Sequence, residues 1–229
     1  MRGWGPSGGR LLLVAYRFDC SESAGRRRGV ERAVVAVHEG NLVVFPVDSA
    51  YGLGCDAFSA ESVARLRALK GHGRHQPPPV LIGHARTLDG VATSISPAAR
   101  DLVAAFWPGP LTLLCIAQPT LDWDLGDTGG TVAVRMPLHP LALCLLAETG
   151  PMAVTGAAAP GSTLGPPQTC GEVREAFADE VEVYLDAGHL SRPEASTIVD
   201  VTEATPRLLR AGALDVETLR AVVPDLIAG

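Results

Sequence analysis

What most constrains this chain is the alternation it keeps from residue 29 onward. Short apolar runs of strand character ("NLVVF", "PVLIG", "LTLLCIA", "TVAVRM", "MAVT", "VEVYLD", "STIVDV", "RLLRAG") are interleaved with segments that carry helix signals. "GVERAVVAVHEG" has apolar residues at helical spacing and stops on Gly40. "SAESVARLRALKG" offers Ser59 as N-cap and Gly71 as terminator, and "SPAARDLVAAFW" offers Ser96 as N-cap with Pro97 at the first helical position. "HPLALCLLAETG" reads as a further helix, and a last one begins at Asp215. Strands that alternate with helices bury a sheet under helical layers, so the pattern predicts an α/β or mixed α+β architecture.

The two linker-like stretches, "QPTLDWDLGDTGG" and "AAAPGSTLGPPQTCG", lie between elements of similar composition. They are predicted to be long functional loops of one domain, and no internal repeat suggests otherwise. At 229 residues the chain can bury a sizeable core, and 47% hydrophobic with 19% charged residues fits a soluble globular protein. The formal net charge of −6 provides no global basic field for non-specific nucleic-acid binding. The basic run Arg26-Arg27-Arg28 reads as a solvated helix entry. Cys20, Cys55, Cys115, Cys144 and Cys170 are far apart and form no C-x-x-C pair, which argues for a reducing, cytoplasmic setting. The apolar run from Leu11 to Ala15 is too short to span a membrane. "MRGWGPSGGR" predicts a flexible N-terminal extension.

One basic residue stands apart. Of 19 Lys plus Arg, only Lys70 is lysine. An ammonium is a compact point charge on a flexible stem and a guanidinium a planar fork, so a lone lysine among arginines is either chance or chemistry. The other unusual residues sit in loops at strand ends. "PVDSAYGLG" follows a strand with glycines that let backbone approach a ligand, yet it is neither G-x-G-x-x-G nor a P-loop. G-x-S-x-G and H-E-x-x-H are absent as well. His72 and His75 have no acidic or cysteine partner nearby in sequence, so no metal site is predicted. Trp107 in "FWPGPLTL" reads as a buried aromatic in a rigid turn, with Thr112 offering a hydroxyl just inside the strand. Arg135 ends a strand as either a salt bridge or an anion contact. Ser196, Thr197 and Arg210 lie at later strand ends. Together with Lys70 and Arg74 they make a set of cations and hydroxyls suited to a polyphosphate.

The order "PVDSAYGLG", "KGHGR", "FWPGPLTL", "VAVRMP", "AVTGAAAPG", "ASTIVD", "LLRAG" resembles the YrdC family, whose best-known members are threonylcarbamoyl-AMP synthases. The resemblance runs over residues 17–214. It implies a YrdC-like domain there, an extension over 1–16 and a C-terminal helix or tail over 215–229. It also implies a single-domain open twisted mixed sheet around a large concave cavity, and an ATP-dependent reaction with Mg²⁺. In that reaction L-threonine, bicarbonate and ATP give threonylcarbamoyl-AMP and pyrophosphate. The downstream use implied is tRNA t6A modification, with contact to tRNA or double-stranded RNA and to the transfer machinery.

By the same resemblance Lys70 is the catalytic cation. Lys70, Arg74, Thr112, Gly156 and Arg210 would contact ATP, and Val47, Ser49, Tyr51, Arg135, Thr155 and Ser196 would contact threonine. The chain departs from the family pattern at several of these places. Val47 and Ser49 stand where the family has threonines, and His72 stands where it has arginine. Thr155-Gly156-Ala157-Ala158-Ala159-Pro160-Gly161 replaces a loop rich in serine and asparagine. Two other readings therefore stand beside a synthase: a non-catalytic nucleotide- or RNA-binding paralogue, and a carbamoyl-adenylate enzyme using another amine.

Overall fold

The computed structural model describes residues 15–48, 50–163, 165–191 and 195–228. The expected helices form with the expected caps. Helix α1 is Ser23–His38, α2 is Ala60–Leu69, α3 is Leu88–Val91, α4 is Pro97–Phe106, α5 is Pro140–Thr149, α6 is Cys170–Phe177 and α7 is Val216–Val222. Ser59, Ser96 and Asp215 each accept a backbone N–H of the first turn, from Ser62, Ala99 and Thr218, satisfying donors that a helix start leaves unpaired.

The strands are β1 (Tyr16–Asp19), β2 (Val43–Pro46), β3 (Tyr51–Asp56), β4 (Val80–Leu81), β5 (Ala92–Thr93) and β6 (Leu111–Ala117). They continue with β7 (Thr131–Arg135), β8 (Met152–Gly156), β9 (Val183–Asp186), β10 (Thr197–Asp200) and β11 (Arg207–Arg210). All join one sheet in the order β1-β9-β2-β3-β8-β4-β7-β6-β10-β11, with β5 beside β6. The pairs β1/β9, β2/β9, β4/β7 and β6/β10 are parallel and the rest antiparallel, so the sheet is mixed; β1 and β11 leave it open at two edges.

Side-chain alternation splits the interior in two. Val44 and Leu53 join Val63 and Leu66 of α2, Leu102 of α4, Val173 of α6 and Leu219 of α7 in the larger core. Val43 and Phe45 point the other way, onto Ala33 and Val37 of α1 and Leu141 and Leu145 of α5. Strands β6 and β7 show the consequence most clearly. Leu111, Leu113, Val132 and Val134 are buried in the larger core, whereas Leu114, Ala133 and Arg135 on the opposite face are only partly covered. That partly covered face carries the candidate site.

The structure departs from the sequence reading in four places. "PVDSAYGLG" is not wholly a loop, because from Tyr51 it is strand β3, paired antiparallel to β2. Its Gly52 has no room for a side chain: a Cβ there would lie 2.5 Å from a Val47 methyl and 2.9 Å from one of Val154, so the missing side chain lets the two valines pack over the strand. Part of the second linker-like stretch is helical, since Thr169 and Glu172 form a capping box that starts α6. The segment set apart at 215–229 shares the main core through Leu219, Val223 and Leu226, and Leu208 N–H bonds to the Ile227 carbonyl. At the other end Tyr16 already belongs to β1; of the expected extension, residues 1–14 lie outside the described residues.

Candidate active site

A cavity of about 460 Å³ opens on the partly covered face, within the range of roughly 300–1,000 Å³ usual for small-molecule sites. Strand register builds its floor. Arg135 of β7 lies opposite Thr112 of β6, Thr112 opposite Ile198 of β10, and Ile198 opposite Arg210 of β11. Residues paired across a sheet project to one face, so this single row aims two guanidinium groups and a hydroxyl the same way. Ser196 precedes Ile198 by one strand period and joins them. Val47, Asp48, Tyr51, Thr155 and Gly156 complete the part of the lining that the sequence had marked or neighboured. Ser49 lies outside the described residues.

The polar groups on this floor are held in place. Thr112 Oγ1 and Ser196 Oγ are 2.8 Å apart, and both residues are buried. Arg210 donates to the Ser196 carbonyl at 2.7 and 3.1 Å and to Ser196 Oγ at 3.0 Å. Arg135 Nε donates to the Gly109 carbonyl at 3.0 Å, and its terminal nitrogen pairs with Asp48. Asp48 also accepts the Leu138 N–H, which ties the loop after β2 to the segment before α5. Burial and the neighbouring Arg210 lower the Arg135 pKa to about 10, which still leaves it cationic at neutral pH. Of the two readings of Arg135 that the sequence left open, the salt bridge is present, with Asp48, and the side chain also lines the cavity.

Tyr51 lines the cavity too, but its hydroxyl is engaged elsewhere. It donates to the Gly188 carbonyl at 2.7 Å, stands 3.3 Å from Asp186 and accepts the Ala187 N–H at 3.0 Å. Only its ring and backbone therefore face the cavity. Asp186 in turn pairs with Arg17, so this hydroxyl belongs to the β1–β9 edge.

Two expected contacts lie outside this cavity. Lys70 caps α2 and is nearly buried; its ammonium donates to the Ala158 carbonyl and stands 5.7 Å from the centre of the Phe177 ring. Burial lowers its pKa below that of a free lysine. The loop it touches, Ala157 to Ala159, lines a second cavity of about 500 Å³ that shares Pro166 with the first. Lys70 thus braces the wall between two compartments. Arg74, expected among the ATP contacts, is exposed and lines neither cavity, and its three donor nitrogens are engaged by Asp124 and Asp127 at 2.8–2.9 Å. His72 is held neutral near pH 7, because burial first and the Lys70 charge second lower its pKa.

Two residues escaped the sequence reading. Asp48 was legible only as an acid in an unusual strand-end loop. Arg67 is almost buried, and its Nε has no hydrogen-bond partner among the described residues. The signal for Arg67 was spacing, because it is three residues before Lys70 on α2 and so shares its face. Trp107 is the buried aromatic expected, with Nε1–H donating to the Leu111 carbonyl at 2.7 Å.

Known proteins resemble this chain in sequence and in fold. The Sua5/YciO/YrdC family model, described as "Telomere recombination", matches residues 35–212. A Mycobacterium tuberculosis protein named "Putative threonylcarbamoyl-AMP synthase" is 48% identical over 206 residues, 90% of this chain and 94% of that one. The threonylcarbamoyl-AMP synthase of Pyrococcus abyssi is 35% identical over 83% of this chain, which spans 56% of that longer protein. The crystal structure of P. abyssi Sua5 complexed with L-threonine superposes with a TM-score of 0.86 at 31% identity, covering 94% of this chain and 63% of that chain. A match over most of the chain, in family model, sequence and fold together, shows that this chain belongs to the Sua5/YciO/YrdC family.

Proposed function

We propose that this protein is an L-threonylcarbamoyladenylate synthase, a nucleotidyltransferase that serves tRNA t6A modification in the cytoplasm. The observation that carries the reading is the convergence of Arg135, Thr112, Ser196 and Arg210 on one cavity, in a chain whose relatives bear that name. The amine of threonine and bicarbonate give a carbamate with loss of water. A carbamate oxygen then attacks the α-phosphorus of ATP, the bond to the bridging oxygen breaks, and pyrophosphate leaves with the electron pair. Negative charge builds on phosphoryl oxygens throughout, and fixed cations and hydroxyl donors stabilise it with little reorganisation. Arg210, already oriented by Ser196, and Arg135, oriented by Gly109 and Asp48, supply such groups. Lys70 supplies a third cation from the neighbouring wall.

Mg²⁺ enters this reading as part of MgATP. Among the described residues no cluster of His, Cys, Asp and Glu could hold a metal, and Asp48 is already engaged by Arg135 and Leu138. Hand-over to the tRNA-modifying machinery, with or without direct contact to tRNA or double-stranded RNA, is the downstream step of the same reading. No helix among the described residues is long and apolar enough to cross a membrane.

One observation favours a second reading. Val47 presents methyl groups to the cavity where a hydroxyl would help to hold threonine, which suits a carbamoyl-adenylate enzyme for another amine. The decisive experiment is pyrophosphate release with ATP, bicarbonate and each amino acid in turn. Release with threonine above all others supports the synthase, a different preferred amine supports the second reading, and no release with any amine sinks both.

A further inference from the structure

The segment that carries Lys70 and His72 is held at two ends. At the first, it continues from α2: Gly71 N–H bonds to the Ala68 carbonyl and His72 N–H to the Arg67 carbonyl. At the second, Arg74 is gripped by the loop between β6 and β7. Its Nη1 and Nη2 donate to the two oxygens of Asp124 at 2.8 and 2.9 Å, and its Nε to Asp127 at 2.9 Å. The Arg74 carbonyl accepts the Asp127 N–H at 2.7 Å. Gly126 has φ +118°, and a Cβ there would lie 2.6 Å from that carbonyl oxygen, so the grip requires glycine. Asp124 also faces the Arg67 charge and accepts the Gly126 N–H at 3.0 Å.

We propose that Arg74 is a positioning residue. Clamped by Asp124 and Asp127, it fixes the segment from Lys70 to Gln76 and so sets where the Lys70 ammonium stands when the nucleotide binds. A fork–fork ion pair defines geometry as well as charge, which is why an arginine serves here and a lysine would not. The side chains of Arg74, Asp124 and Asp127 are 52%, 43% and 62% exposed. Exposed ion pairs contribute little to global stability, so variants at these positions keep the fold while the segment loosens. The catalytic consequence rests on the synthase reading above.

Four variants test the clamp: Arg74→Ala, Asp124→Asn/Asp127→Asn, the combination of all three changes, and Gly126→Ala. We expect each to raise the KM for ATP roughly fivefold with the KM for threonine unchanged, and the combination to be no worse than its parts. Arg74→Lys is expected to behave like Arg74→Ala. A guanidinium that binds phosphate directly gives a different pattern. Arg74→Ala would then lose affinity while Asp124→Asn/Asp127→Asn, which frees the guanidinium, keeps or improves it; that result overturns the proposal, as do additive losses.

A second measurement does not depend on turnover. Lys70 is the one lysine of the chain, so reductive ¹³C-methylation gives a side-chain amine signal distinct from that of the chain's α-amine. The clamp predicts that this signal moves alike in Arg74→Ala and in Gly126→Ala. An unmoved signal in both overturns the clamp. Absence of threonine-dependent turnover in the wild-type protein overturns the synthase reading alone.

Discussion

The two halves of the candidate site are built by different means. The floor formed by Arg135, Thr112, Ser196 and Arg210 is set by strand register: adjacent strands hold the residues in one row, and hydrogen bonds to Gly109 and Ser196 fix the guanidinium groups. The wall carrying Lys70, Arg74 and the Ala157–Gly161 segment is set by loop-to-loop contacts, namely Lys70 to Ala158 and Arg74 to Asp124 and Asp127. A sheet row cannot shift by one residue without turning every side chain to the other face, whereas a loop moves as soon as one anchor is lost. The floor should therefore be the rigid half of the site and the wall the adjustable half. Of the residues that depart from the family pattern, His72 and Ala158 lie in the adjustable half, whereas Val47 and Gly156 line the first cavity and Gly156 is held by register opposite Gly52 of β3.

The sharpest way to break this comparison is to remove a charge from the floor. Arg210→Ala deletes a guanidinium whose fixed orientation is its contribution, and the row around it cannot rearrange to compensate. We expect kcat/KM for ATP to fall about 100-fold, near 2.7 kcal/mol of transition-state stabilisation. Melting temperature should change little, because Arg210 is exposed at an edge strand and its hydrogen bonds run to Ser196 alone. A loss smaller than fivefold, measured by steady-state pyrophosphate release, would place the floor outside the chemistry.

Lys70 comes next, because a wall cation can be partly replaced by its neighbours. Lys70→Ala should weaken binding of a non-hydrolysable ATP analogue about tenfold, or 1.4 kcal/mol, by calorimetric titration. The pH dependence has a definite sign. Burial lowers the Lys70 pKa in the folded protein, so the ammonium loses its proton at a lower pH than a free lysine would. The affinity for ATP should consequently begin to fall, as pH rises, before the usual lysine range is reached, and Lys70→Arg should abolish that early fall. For stability the sign is opposite. The burial penalty on the ammonium is fully present below the folded pKa and is relieved as pH rises towards the unfolded value. An affinity that stays flat up to the ordinary lysine range would separate Lys70 from nucleotide binding.

These same halves differ in how far the sequence reveals them. The alternation of apolar runs gives strands and helices, and caps such as Ser59, Ser96 and Asp215 fall where side-chain oxygens can accept unpaired N–H groups. Once β6, β7, β10 and β11 exist, Arg135, Thr112 and Arg210 sit near their ends by simple position, so the floor was largely legible. The destination of a long side chain was not. Nothing local in "KGHGR" says that Arg74 turns to a loop 50 residues away, or that Tyr51 sends its hydroxyl to Asp186 and Gly188. Those partners are chosen by tertiary packing. Strand β3 was missed for a related reason: "YGLG" has weak strand propensity, and burial between β2 and β8 overrides it.

A smaller effect sharpens the comparison from the side of gain. An added Cβ at Gly156 meets nothing within 4 Å, and no positive φ restricts that position, so Gly156→Ser fits without strain. Ala158→Asn returns a carboxamide beside the Lys70 contact, and His72→Arg returns a permanent cation where the imidazole is neutral. Because these groups border one loop they should act as a unit, with little from each alone and roughly tenfold from the triple variant in threonine-dependent pyrophosphate release. A triple variant that binds ATP yet gains nothing would mean that the wall has been repurposed for another amine.

The smallest expected effect is at Val47, on the lining of the cavity. Valine and threonine have nearly the same shape, so Val47→Thr exchanges one methyl for a hydroxyl with little change in volume. In a dry core that exchange costs stability, but Val47 lines a cavity, where the hydroxyl can meet solvent or substrate. One new hydrogen bond is worth about 0.5–1.5 kcal/mol net. The KM for threonine should therefore fall about threefold with kcat and the KM for ATP unchanged, since the contact is made equally in the ground and transition states. A fall in the KM for a hydroxyl-free amino acid instead would show that Val47 tunes the volume of the cavity and not its polarity, and would move the preferred substrate from threonine to a more apolar amine.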